Sequence, residues 1–60
     1  MKNDIVTITC YGQTAKYKRQ NAIKEFRTAM FCSEGHEQAR YVHIYECLLC
    51  GDKIISDEEV

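Results

Sequence analysis

The chain has 60 residues, 45% of them hydrophobic and 28% charged, with a formal net charge of −1. A single domain of this length buries only about 60% of its unfolded surface, so a metal, a dimer contact or a very tight core is expected to support it. The composition excludes a disordered chain, the near-zero charge excludes a global pull toward nucleic acid or membrane, and no apolar run approaches the roughly 18 residues of a membrane span.

Asp4 to Tyr11 alternates β-branched apolar residues with threonine, which predicts a strand over residues 4–11. Val6, Ile8 and Cys10 would share one face, with the threonines toward water on the other. Gly12-Gln13 is a turn candidate. Two readings of Thr14 to Lys18 stand side by side: a second short strand over 14–18 that closes a hairpin, and an extended linker. From Arg19 the period changes. Ala22, Ile23, Phe26, Ala29 and Met30 fall on one face, with Lys24, Arg27 and Thr28 outside it, so a helix is expected over 19–32. Phe31, off that face, is expected to cover the loop end of a helix pair. The short connector Ser33-Glu34-Gly35 implies antiparallel neighbours.

A second helix is expected over 36–50, stopped by Gly51. At about 100° per residue, Tyr41, Val42, Tyr45, Leu48 and Leu49 gather on one broad face, with Ile44 at its edge. His36, Arg40, His43, Cys47 and Cys50 fall within an arc of about 80° roughly opposite, and are expected to look toward solvent, another segment or a partner. Residues 53–56 read as a short strand pairing with the N-terminal one, and 57–60 as a solvated acidic tail. The sum is an α+β domain in two layers: an antiparallel helix hairpin packed on a small two- or three-stranded sheet, in the order β(β)ααβ.

Charge is unevenly spread. Residues 11–30 carry Lys16, Lys18, Arg19, Lys24 and Arg27 against Glu25, whereas residues 31–60 carry seven acids against Arg40 and Lys53. With Tyr11 and Tyr17 nearby, the basic stretch 16–27 has the groups to meet phosphates and stacked bases. The plainer reading is a solvated face that balances an acidic half.

Cys47-Leu-Leu-Cys50-Gly51 is how a zinc knuckle begins. His43, one turn earlier, is the candidate third ligand, and Cys32, Cys10 or His36 the fourth; the usual second CxxC or HxxxH is missing. The plainer reading is two small apolar thiols near a helix end. A thiol oxidoreductase is disfavoured, because both cysteines lie at the C-terminal pole of the helix dipole, the wrong end to activate a thiol. His36, His43 and Glu37 read as solvated helix-face residues rather than acid–base groups, since so small a domain is expected to lack a deep cleft. The opening MKNDIVTIT has an acid at position 4 and no signal-peptide apolar block, so a cytoplasmic protein with reduced cysteines is expected.

Tyr11-Gly12-Gln13-Thr14, then Asn21-Ala22-Ile23-Lys24-Glu25-Phe26, then Ser33-Glu34-Gly35-His36-Glu37-Gln38-Ala39-Arg40-Tyr41 with Ile44-Tyr45 follow one another in a recognisable order. This series resembles a family of short uncharacterised proteins from conjugative and other mobile elements of low-GC Gram-positive bacteria, with the pattern YGxT, AIxx[FY], SEGSExxRYxNI. The resemblance covers most of the chain. It implies a mobile-element origin and a cytoplasmic location, and no activity. The chain departs from the pattern at His36, where the family has Ser, a conventional helix N-cap. Cys47 and Cys50 are no part of the pattern.

The expected function is a non-enzymatic protein-interaction or accessory module with an unidentified protein partner. Nucleic-acid binding through 16–27 and a small zinc-stabilised domain are the alternatives. The contact candidates are Lys16, Lys18, Arg19, Lys24, Arg27, His36, Arg40 and His43, and the metal candidates Cys47, Cys50, His43 and Cys32. No catalytic residue or cofactor is assigned, and a homodimer fits so small a core.

Overall fold

A computed structural model describes residues 3–57. The elements run β1 (Ile5–Cys10), β2 (Gln13–Lys18), α1 (Arg19–Phe31), α2 (Gly35–Cys50) and β3 (Ile54–Ser56). The sheet has the order β2-β1-β3, with β2 antiparallel and β3 parallel to the central β1. The helices form an antiparallel hairpin that packs on this sheet, giving a two-layer α+β fold. No helix among the described residues is long and apolar enough to cross a membrane.

Thr14 to Lys18 forms a strand rather than a linker, because the turn before it is tight. Tyr11 and Gly12 both take positive φ, 54° and 76°, and Cys10 pairs with Gln13 across them. Two left-handed residues in succession match the twist of the strands they join. The turn therefore falls one residue earlier than Gly12-Gln13, and places a tyrosine where glycine or asparagine is usual.

Strand parity assigns the two sides of the sheet. Val6 pairs with Tyr17, and Ile8 sits between Ala15 and Ile55, all on the helix side. Val6, Ile8 and Ile55 join Ala22 and Phe26 of α1 and Ile44 and Leu48 of α2 in one buried core. Cys10, Tyr17, Ile23, Tyr41 and Cys47 pack against its margin.

Tertiary contacts begin and join the helices. No side chain of its own caps α1. Instead the Asn3 side-chain oxygen accepts the Gln20 N–H at 2.9 Å and the Asp4 carbonyl accepts the Arg19 N–H at 2.8 Å. Between the helices, the Ser33 hydroxyl donates to the Ala29 carbonyl (2.6 Å), and the Gln38 amide to that of Met30 (3.2 Å). The residue before α2 is Glu34, so His36 lies inside the first turn and is not in the capping position. At the far end Gly51 takes φ 93°, while its N–H and that of Asp52 return to the carbonyls of Leu48 and Cys47. That is a Schellman stop.

Three expectations need correction. The buried face of α2 centres on Ile44 and Leu48, turned by about 80° from the stripe the apolar residues suggest, and Leu49 is left 46% exposed. Arg40 and Cys47 border the true inner face on one side: one finds a buried carboxylate and the other behaves as a small apolar group. Phe31 covers nothing at the loop end and stands 76% exposed. Asp57, taken as the start of a solvated tail, is buried; the tail beyond it, 58–60, lies outside the described residues.

Candidate functional site

Two aspartate–arginine pairs hold the domain, and they divide its candidate site residues into structural and available ones. The first removes a contact candidate. Arg19 is only 1% exposed. Its guanidinium forks onto the Asp4 carboxylate and reaches the carbonyls of Leu48 (2.6 Å), Asp52 (2.9 Å) and Gly51 (3.3 Å). The planar fork suits this role: it satisfies orphan carbonyls at the end of α2 while tying down the segment before β1. The Arg19 hydrogen bond is the main cause that lowers the Asp4 pKa from 3.8 to about 2. Arg19 is thus a clamp inside the fold and not a phosphate contact.

In the second pair, one oxygen of buried Asp57 accepts both the Tyr11 N–H (3.0 Å) and an Arg40 N–H (2.9 Å). These bonds, the Tyr11 amide first, lower the Asp57 pKa. Its other oxygen is buried with no hydrogen-bond partner among the described residues. Arg40 also lies over the Tyr11 ring, 5.0 Å from its centroid, so the left-handed tyrosine is held at both backbone and ring. Burial, and secondarily Asp57, raises the pKa of the Cys10 thiol at the edge of this group.

Beside it opens a cleft of about 450 Å³. The hairpin contributes Ile8, Cys10, Tyr11, Gln13, Ala15 and Tyr17 to its lining. The helices contribute Glu25, Phe26, Ala29 and Tyr41. Ala15 and Ala29 are too short to bring their elements together there, which leaves the space open. Tyr17 meets Phe26 edge-on at 5.8 Å and Phe26 meets Tyr41 at 6.0 Å, forming a continuous aromatic wall. Tyr41 is shifted to a higher pKa, chiefly by burial.

The far side of the sheet is a second surface. Parity and register place three rows there: Ile5 beside Lys18; Lys16, Thr7 and Ile54; Thr14, Thr9 and Ser56. The Thr9 and Thr14 hydroxyls pair at 2.9 Å. Ile54 is 84% and Ile5 54% exposed, and Lys16 and Lys18 are exposed beside them. None of these eight residues is acidic.

The basic stretch 16–27 is consequently split. Lys16 and Lys18 belong to the bare side of the sheet, while Lys24 and Arg27 are exposed on the helix layer. The rings that would stack bases lie apart from Lys16 and Lys18: Tyr17 lines a cleft on the helix side of the sheet, and Tyr11 lies under the Arg40 guanidinium. On α2, His36 and Cys50 are exposed, Arg40 is joined to Asp57, and half-buried His43 lies 3.7 Å from the Cys47 sulfur. Cys32 is exposed beyond the end of α1, and all four cysteines are thiols. No group of three or more His, Cys, Asp or Glu side chains among the described residues is placed to hold a metal ion.

The sequence reading assigned no role to Asp4, Asp57 or Glu25, and it set Ala15 beside Tyr17 and Ala29 on the inner face of α1 without reading a cleft between them. The available signal was parity: Ala15, flanked by Lys16 and Thr14, shares its side of the sheet with Tyr17. Comparison with protein-family models, curated proteins and solved structures finds no match for the chain.

Proposed function

We propose that this chain is a protein-interaction module, an accessory protein of a bacterial mobile element that acts in the cytoplasm by contact rather than catalysis, and that it meets its partner with the bare side of the sheet. One observation carries the reading: Ile5 and Ile54, diagonal neighbours on one side of the sheet, are exposed on the same side as Lys16 and Lys18. Single exposed apolar residues are ordinary, but a cluster rimmed by charge is the form of a contact surface. Its one-sided charge selects a partner whose apolar patch is ringed by acids. The mobile-element origin, and the cytoplasmic location that goes with it, are supported by the series YGQT, AIKEF and SEGHEQARY.

The test is capture of the partner from its host by tagged wild-type protein, by a Lys16→Glu/Lys18→Glu/Ile54→Asp variant, and by Lys24→Glu on the helix layer. Capture by the wild type and Lys24→Glu, with loss in the triple variant, is expected. Retention by the triple variant contradicts the reading. Capture abolished by nuclease would transfer it to nucleic-acid binding.

A further inference from the structure

We propose that the cleft between the β1–β2 hairpin and the helices receives a basic side chain, arginine or lysine, presented by a protein segment that approaches the helix side of the sheet, opposite the bare face. Tyr17, Phe26 and Tyr41 line the space, Phe26 buried and the two tyrosines half-buried, and a ring quadrupole attracts positive charge most strongly where water is partly excluded. Glu25 is the single charged residue among those lining the space, and it is exposed and therefore accessible to an entering group. A slender aliphatic stem ending in a positive charge matches both features: the stem lies against the rings and the head meets the carboxylate. An acidic guest would meet Glu25 with like charge. A neutral apolar guest would gain no ion pair with Glu25 and forgo the cation–π attraction. Tyr11 shows the same preference within the domain, holding the Arg40 guanidinium over its ring.

That the cation comes from a protein partner rests on the interaction reading above; the cleft's preference for a cation does not. The test therefore uses capped amino acids and never the bare sheet face. N-acetyl-arginine methylamide is titrated into the full chain and followed by NMR at the rings of Tyr17, Phe26 and Tyr41, with the norleucine analogue as the neutral control. The arginine probe is expected to shift these rings at millimolar concentration and to bind more weakly by about threefold to tenfold in Glu25→Gln. The norleucine probe is expected to bind more weakly by at least the same factor. Glu25 is exposed on α1, so its replacement leaves the fold intact, which the unchanged core resonances will show. Equal binding of the two probes, an unchanged affinity in Glu25→Gln, or no shift at the three rings would each overturn the proposal.

Discussion

Ile54 and Ile55 are consecutive residues of the same short strand, yet one is 84% and the other 2% exposed. The difference extends across the sheet. On the helix side Val6, Ile8 and Ile55 are closed over by Phe26, Ile44 and Leu48. On the other side Ile5, Ile54 and two lysines carry no layer among the described residues. β-branched residues alone do not mark a core. Their parity decides which of them stabilise the fold and which are left for contact.

Four substitutions and one condition test this contrast. Ile55→Asp has the largest expected effect: a charge at a sealed position costs about 5 kcal/mol or more, comparable with the whole stability of a small domain, so circular dichroism should show an unfolded chain. Arg19→Leu follows. It leaves three carbonyls without their donor and should lose about 3–5 kcal/mol in urea denaturation.

Acid acts through the two carboxylates. The Asp4 pKa is lowered from 3.8 to about 2, and the Asp57 pKa is lowered as well. A depressed carboxylate pKa gives stability that is present above the unfolded value and lost on acidification, so thermal stability should fall between about pH 4 and pH 2. Asp57→Asn should flatten part of that fall. Ile54→Asp has the smallest effect, within about 0.5 kcal/mol of the wild type by denaturation.

Much of the architecture was legible in the sequence because it is written in short-range periodicities. Alternating Ile/Val and Thr gave β1 and its inner face, the AIxxF spacing gave the face of α1, and Gly51 marked where α2 stops. The rest depends on pairs far apart in the chain. Arg19 reads as a phosphate contact until Asp4 and the end of α2 converge on it. Arg40 reads as surface until Asp57 is found buried beside it, and the apolar Val42 and Leu49 draw the predicted face of α2 away from Ile44. The cleft was hidden for a similar reason, since two alanines, on β2 and α1, open it only when the layers stack.

The bare side of the sheet is best tested by photo-crosslinking in the host, with a benzoyl-phenylalanine at position 54 and, separately, at position 49 on α2. Both positions are exposed and neither belongs to the sealed core, so the two proteins should fold alike. A specific crosslinked protein from position 54 and none from position 49 is the expected result. A product from position 49 alone would place the contact on the helices and contradict the assignment of the bare sheet.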